Sequence, residues 1–332
     1  MKKTLSRWLQ DVWYKDPFIG TWLMPLGFLF SDIVRFRRFC YRIGIKKIHK
    51  LPIPVVIVGN ITVGGTGKTP LVIYLAQLLI TAGYKPGIIT RGYGGKSDTW
   101  PVLVNPETDV LIAGDEALLL AKHTQCPVAV GPNRVLSAQL LLKQAGCNLI
   151  LSDDGLQHYA LARDVEIAVI DGERRFGNGY CLPAGPLREP LNRLQDVDMV
   201  VVNGGQTEQT EFAMQLLGNQ AVNLKTREQK ALTDFAVGGC HAVAGIGNPG
   251  RFFNLLSNAG ITATMHSFPD HYPFEHSDID FHDGLPVLMT EKDAVKCAGF
   301  ASLQHWYVPV QAILESNFKQ QFITLLRDKT NG

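Results

Sequence analysis

Between residues 55 and 72 the chain reads VVIVGNITVGGTGKTPLV, and its residue types there suit one task, gripping a polyphosphate. Gly64, Gly65 and Gly67 let backbone N–H groups turn toward phosphate oxygens, and the start of the following helix adds its positive dipole end. The Lys68 ammonium would reach the β- and γ-phosphates of a nucleoside triphosphate, and the Thr69 hydroxyl would ligate Mg²⁺. The nucleotide set is thus Gly64, Gly65, Thr66, Gly67, Lys68, Thr69 and Pro70. One position departs from the pattern G-x-x-x-x-G-K-[ST]: Thr62 stands where the first glycine belongs. Gly64 and Gly65 are expected to supply the missing flexibility.

The flanking segments are those the motif requires. Val55–Val58 is a continuous apolar run of the kind buried on both faces of a parallel sheet, and residues 70–83 carry helical spacing with Gly83 as a stop. The double glycine also resembles the loop K-G-G-x-G-K-[ST] of dimeric ATPase switches, but the leading lysine of that loop is Val63 here. A second apolar run, within CNLILSDDGLQH (147–158), ends in Asp153 and Asp154. Carboxylates at the C-terminal end of a strand lie where open α/β sheets bind ligands, and they suit a Mg²⁺–water network. Further strand ends carry polar clusters at 87–95, 112–121, 128–134 and 199–205, alternating with helical patterns. This predicts a P-loop NTPase-type α/β fold with a doubly wound, mostly parallel sheet.

With 332 residues the chain exceeds one ordinary core. We expect an N-terminal arm over 1–50, a P-loop core over 51–205 and a smaller C-terminal α/β lobe over 206–332. A net charge of +2 argues against nucleic acid as a partner. The six cysteines are scattered without zinc spacing and read as thiols of a reducing compartment. Charges throughout the first 16 residues, with no small-residue cleavage site after them, argue against a secretory signal peptide.

The arm has its own chemistry. Residues 17–31 are uncharged, aromatic and aliphatic, and 35–50 hold seven Lys/Arg and no acid. Fifteen residues of helix reach only about 22 Å, against roughly 30 Å of hydrocarbon, so a span is not expected. An apolar wedge beside a basic stretch suits the face of an anionic bilayer. A second reading is a buried helix with a solvated basic face.

The motifs VGGTGKTP, TRGYGG, GDEALLLA, SDDGLQH, GPLREP, FPDHYPF and TEKDAVK occur here in the order seen in the tetraacyldisaccharide 4′-kinases, and the chain resembles that family over nearly its whole length. The resemblance implies transfer of the γ-phosphate of ATP, with Mg²⁺, to the 4′-hydroxyl of an acylated glucosamine disaccharide 1-phosphate, a lipid A precursor. It also implies a place at the cytoplasmic face of the inner membrane of a Gram-negative bacterium, peripheral or shallowly inserted. By the same resemblance Asp115 is the candidate base assisted by His271, and Lys68 is catalytic. Thr69, Asp154 and Glu189 belong to the metal, and Arg91, Tyr93, Arg134, Asp153, Gln157, His158 and Arg188 to the acceptor and its phosphates. TEKD reads as a nucleotide-side loop and AGIGNPG as a turn. The rival readings are a nucleotide-dependent switch or chaperone that binds a protein through the basic arm, and a soluble small-molecule kinase.

Overall fold

The computed structural model describes residues 5–14 and 20–330. Pro17, Phe18 and Ile19 of the apolar run therefore lie outside the described residues. The strands, in chain order, are β1 (Val55–Gly59), β2 (Pro86–Thr90), β3 (Val102–Val104), β4 (Val128–Val130), β5 (Leu149–Asp153), β6 (Val165–Asp171), β7 (Met199–Asn203) and β8 (Glu211–Leu217). They continue with β9 (Gln220–Asn223), β10 (Gln229–Ala231), β11 (Cys240–Ala244), β12 (Ala263–Ser267), β13 (Val287–Thr290), β14 (His305–Val308) and β15 (Gln311–Leu314). The chain packs as two compact units. One holds the described residues up to Lys68, Cys147–Met214 and Leu314 onward; the other holds Thr69–Gly146 and Gln215–Ile313.

In the first unit five strands run parallel in the order β8-β7-β6-β1-β5. The apolar run at Val55–Val58 is β1, central and wholly buried, as a strand covered on both faces must be. Because the strands are parallel, the loops after β1, β5, β6 and β7 all leave from the same end of the sheet. That end receives the glycine loop, Asp154, Arg174 and Gly204. Open α/β sheets bind ligands at this end.

Also in this unit, helix Met24–Arg42 carries Pro25 in its first turn. A proline there breaks nothing, because the first N–H groups of a helix have no intrahelical acceptor. Among the described residues no helix is long and apolar enough to cross a membrane. Gly27 faces inward: a Cβ there would lie 2.9 Å from Ala184 Cβ, so the glycine permits the helix to approach the 181–184 segment. Leu26, Phe28, Leu29, Ile33, Phe36 and Phe39 are exposed.

The second unit holds β2, β4 and β3, with β2·β4 parallel and β3·β4 antiparallel, and a six-stranded sheet in the order β10-β9-β14-β13-β11-β12. Here β12, β11, β13 and β14 are parallel, and β9 and β10 run antiparallel at the other edge. Alternation along the strands feeds two cores. Ala242, Ala244 and Leu288 pack with Phe252, Leu256 and Trp306 on one face, while Val243, Val287 and Met289 pack with Phe274, Ile279 and Cys297 on the other. All six cysteines are buried thiols. AGIGNPG is the turn from β11 into helix Pro249–Asn258.

A buried ionic network braces the first unit. Arg193, 2% exposed, donates to Glu166 Oε1 at 2.6 Å, and Arg163 reaches the same oxygen at 2.8 Å. Arg193 Nε also lies 3.8 Å from Glu189, whose other oxygen accepts from the Tyr159 hydroxyl. Burial would lower the Arg193 pKa, but its bond to Glu166 and the neighbouring anions outweigh that and hold it charged. Removing one member of a buried ion pair strands the other. Arg193→Met is therefore expected to cost about 3–5 kcal/mol of unfolding free energy, read from the urea midpoint; a cost under about 1 kcal/mol would mean water or Arg163 takes over the load.

Candidate functional site

In the first unit the site is built on the segment after β1. Its entry is pinned by main-chain bonds to the GPLREP segment: Val63 N donates to Pro186 O at 2.8 Å and Arg188 N to Ile61 O at 2.7 Å. Thr62 itself forms an antiparallel bridge with Leu187 and is buried. This explains the departure from the motif. Position 62 is a strand-like position, suited to a β-branched residue, and glycine's left-handed freedom is used further on, at Gly64 (φ 103°) and Gly67 (φ 93°). At Gly67 the absence of a side chain is also a matter of space, since a Cβ would lie 2.3 Å from Asn203 Nδ2. Asn203, the last residue of β7, donates to Thr66 O at 3.0 Å, and Arg174 donates to Gly65 O at 2.9 Å while paired with Asp171 at the end of β6. The loop is thus held from the ends of β6 and β7 and by the GPLREP segment.

Lys68 opens helix Lys68–Thr81, with Thr69 and Pro70 in the same first turn. Its ammonium lies 3.2 Å from Asn60 Oδ1 and 3.4 Å from Asp154 Oδ1. Arg188 reaches both oxygens of Asp154 at 3.1 Å. Asp154 has a left-handed backbone (φ 50°), which aspartate tolerates, whereas Asp153 ends β5 as a buried residue. Gln157 Nε2 donates both to Asn60 O at 3.0 Å and to Glu189 Oε2 at 2.9 Å, which ties Glu189 to the loop. His158 is half-buried, and its carbonyl accepts from Arg163. Lys68, Asp154, Arg188, Gln157 and Glu189 therefore converge around Asn60.

In the second unit a different cluster forms. Asp115 is the first residue of helix Asp115–His123 and only 4% exposed. Its Oδ1 accepts from the Glu116 amide at 2.8 Å, and its Oδ2 lies 3.0 Å from His271 Nδ1 and 3.7 Å from Lys296 Nζ. Burial alone would raise the Asp115 pKa, but the bond to His271 and the charges of Lys292 and Lys296 outweigh it and hold the carboxyl below the ordinary range. His271 has a left-handed backbone (φ 57°) and packs against the Tyr93 ring, with centroids 4.4 Å apart. Gly114 (φ 83°) brings GDE against TRGYGG so closely that a Cβ would lie 2.5 Å from Tyr93 O. Arg91 is exposed just past β2, while Arg134 is buried and donates to Gly131 O at 3.3 Å. The structure brings Asp115, His271 and Tyr93 together; Arg134 donates to Gly131 O.

Sequence reasoning missed several members. Lys292 of TEKD lies 3.2 Å from His271 Nε2, 3.0 Å from Glu116 and 3.2 Å from Asp270. The rest of that motif is structural. Thr290 caps helix Glu291–Cys297, and the buried Asp293 accepts from the Gly245 amide at 2.8 Å and pairs with Lys296. The available signal was the four-residue spacing of Lys292 and Lys296, which puts two cations on one helix face. Asn60, Asn203 and Arg174 carried no signal beyond standing near strand ends.

The donors around the loop are hard oxygens, as Mg²⁺ requires. Among the described residues no three His, Cys, Asp or Glu side chains converge to cage a metal. That suits an ion held by one or two carboxylates together with phosphates.

Comparison with known proteins gives a consistent picture. A family model described as tetraacyldisaccharide-1-P 4′-kinase matches residues 19–327. The chain is 51% identical over 315 residues to the tetraacyldisaccharide 4′-kinase of Nitrosococcus oceani, covering 95% of this chain and 93% of that one. It is 44% identical over 326 residues to the protein of that name from Tolumonas auensis, covering 98% and 99%. Among solved structures, the crystal structure of the "apo" form of LpxK from Aquifex aeolicus in complex with ATP matches with a TM-score of 0.77 at 30% identity, over 94% of this chain and 100% of that chain.

The Thr62 bridge has a measurable consequence. Thr62→Gly adds backbone freedom at a strand-like position, so it is expected to destabilise the fold by about 0.5–1 kcal/mol and to leave nucleotide affinity no better. Calorimetry with and without nucleotide measures both; tighter binding in the variant would mean the threonine restrains the loop.

Proposed function

The chain belongs to the tetraacyldisaccharide 4′-kinase family, and on that premise we propose how its residues carry out the reaction. The enzyme transfers the γ-phosphate of ATP to the 4′-hydroxyl of a tetraacyldisaccharide 1-phosphate. In phosphoryl transfer the protein's work is positioning and charge neutralisation, because the transition state is loose and its charge spreads over the phosphoryl oxygens. The glycine loop would present its N–H groups to the phosphates, with Lys68 and Arg188 as the cations facing the charge that develops. Mg²⁺, when bound, neutralises the β- and γ-phosphates, and Asp154 and Thr69 are its proposed oxygen ligands. Glu189 stands with them in the proposed metal environment through Gln157, the side chain it orients.

The observation that carries the reading against a nucleotide switch is the hydrogen-bonded pair of Asp115 and His271. A buried carboxylate bonded to an imidazole suits a kinase with a sugar hydroxyl as acceptor. Tyr93 and Arg91, from the loop that closes on Asp115, are the proposed contacts of the sugar and its phosphate. Asp153, His158 and Arg134 are further proposed contacts of the acceptor and its phosphates.

The acceptor explains the arm. Each CH₂ moved from a bilayer into water costs about 0.8 kcal/mol, so four acyl chains are best left in the membrane. We propose that Trp22, 83% exposed, and the exposed Leu26, Phe28, Leu29, Ile33, Phe36 and Phe39 enter the interface while Arg35, Arg37, Arg38 and Arg42 meet anionic headgroups. The enzyme would then work as a peripheral protein on the cytoplasmic face of a Gram-negative inner membrane.

The first test follows radiolabelled γ-phosphate from MgATP onto a tetraacylated disaccharide 1-phosphate in mixed micelles. Lys68→Ala is expected to lower turnover by about 10²–10³, and Asp115→Ala by about 10²–10⁴, with both proteins folded. Labelling that survives Asp115→Ala unchanged would remove that residue from the chemistry. For the arm, Leu29→Glu and Phe36→Glu should each weaken sedimentation with anionic liposomes by about tenfold or more. Unchanged partitioning would place the membrane contact elsewhere.

A further inference from the structure

Three consecutive peptide units of the glycine loop have their carbonyls held by side chains. Asn60, the residue after β1, donates through Nδ2 to Gly64 O at 3.4 Å, Arg174 donates through Nη2 to Gly65 O at 2.9 Å, and Asn203 donates through Nδ2 to Thr66 O at 3.0 Å. Strands β7, β6 and β1 lie side by side in the sheet, so the three donors come from adjacent strand ends. A peptide unit is planar and trans, so its N–H points opposite to its C=O. Each carbonyl fixed on one side therefore turns the N–H of Gly65, Thr66 or Gly67 to the other. Left to itself a Gly-Gly-Thr-Gly run has little preference for that orientation. A flipped unit would set a carbonyl oxygen, an acceptor, against the phosphate in place of a donor.

We infer that Arg174 and Asn203 are positioning residues for the nucleotide: by holding these carbonyls they turn the N–H groups of the loop to the phosphates, and Tyr14 of the N-terminal arm braces Arg174 for that task. The inference rests on the nucleotide reading above and deepens it. Arg174 suits the task because a guanidinium is a rigid fork of donors. While Nη2 reaches Gly65 O, Nε donates to Asp171 Oδ2 at 2.9 Å. Asp171 is itself fixed, since its Oδ1 accepts from the amides of Glu173 and Arg174 at 3.1 Å and 3.2 Å. The Tyr14 ring covers the guanidinium, 5.4 Å from its centroid to the central carbon. Tyr14 ends helix Leu5–Tyr14, and Trp13 before it docks that helix. The Trp13 indole N–H donates to Pro183 O at 2.9 Å, and its carbonyl accepts from the Asn178 amide at 3.0 Å. Gly177 (φ 56°) permits the approach, because a Cβ there would lie 2.7 Å from Trp13 O. Asn203 is equally confined, 1% exposed and pressed against Gly67.

What the two side chains supply is preorganisation. The cost of orienting the loop is met by the fold before ATP arrives, and not out of the binding energy of ATP. Their loss should therefore appear in affinity for the triphosphate and leave the transfer step and the lipid site nearly alone. A merely structural support would instead lower turnover and both affinities together. Tyr14 adds a second signature. It lies outside the loop, and the structure joins it to the loop through Arg174, so its ring should count in ATP affinity only by way of that guanidinium.

The test measures, on the full chain, the calorimetric affinity for the magnesium complex of the β,γ-methylene analogue of ATP, together with kcat and both KM values in the labelling assay. Two variants carry it: Arg174→Gln, and Asn203→Asp, which keeps the size of the side chain and removes its donor. Each should weaken the analogue and raise the KM for ATP by about tenfold or more, with kcat within about threefold of native and the KM for the lipid unchanged. Arg174→Lys keeps the charge without the fork and should not restore affinity. Tyr14→Leu should weaken binding by about two- to fivefold, and Tyr14→Phe, which keeps the ring, should restore it. Native affinity in a folded Arg174→Gln or Asn203→Asp chain, or equal losses in kcat and in the KM for the lipid, would overturn the inference. Native affinity in Tyr14→Leu would overturn the part of the arm in it. If Arg174→Gln does not fold because Asp171 is left without its cation, Arg174→Gln combined with Asp171→Asn, and Asn203→Asp, decide. Should the native chain bind the analogue and leave the lipid unlabelled, the acceptor reading fails while the role of Arg174 and Asn203 is still read from binding.

Discussion

Two main-chain hydrogen bonds, between Ile61 and Arg188 and between Val63 and Pro186, organise the nucleotide side of this protein. A glycine loop has little intrinsic preference for one conformation, and ordering it costs entropy. Here that cost is met by joining the loop's entrance to a second segment as a short ladder around the Thr62 bridge. The same ladder delivers Arg188 and Glu189, the next two residues along, to the loop. Arg188 then meets Asp154, and Glu189 meets Gln157, which returns to Asn60. One pairing thus places a cation, a carboxylate and the phosphate-gripping backbone together, and the asparagine of β7 and the arginine after β6 close the loop from the far side.

Much of this was legible because it is local. An apolar run such as Val55–Val58 has few options, and a glycine loop between it and a helical pattern defines strand, turn and helix at once. Asp153 and Asp154 followed from the rule that polar groups collect at strand ends, although the chain buries one and turns the other toward Lys68. At position 62 the expectation was that Gly64 and Gly65 make good the missing glycine, and Gly64 and Gly67 do carry the left-handed backbone; what explains the threonine, the bridge to Leu187, is a long-range pairing that no local window contains.

The second unit shows the same boundary between local and distant information. Asp115 and His271 stand 156 residues apart in sequence, and only the family resemblance paired them. Lys292 and Lys296 were quoted within a motif, yet their targets are set by how helix Glu291–Cys297 docks on helix Asp115–His123. Arg134 shows how far residue type alone reaches. An arginine at a strand end reads as an anion contact; here it opens helix Arg134–Gln144 and donates to Gly131 O. Residue type proposes a role, and the direction in which the backbone launches the side chain decides it.

Charge balance gives a reason for the number of ions around Asp115. A lone buried carboxylate would be neutralised by desolvation, and a protonated Asp115 could not serve as an acceptor. The bond to His271 and two lysines keep it ionised, but two buried ammoniums need anions of their own. Glu116 and Asp270 serve Lys292, and Asp293 serves Lys296. Each added ion answers the desolvation of the one before it, until the outer members of the set reach the surface: Asp270 is 35% exposed at its side chain and Glu116 28%. The imidazole joins the innermost anion to the cation beside it, 3.0 Å from Asp115 and 3.2 Å from Lys292. A network of this kind fixes hydrogen-bond directions as well as charge, so the geometry that keeps Asp115 ionised also holds the His271 ring between Asp115 and Lys292.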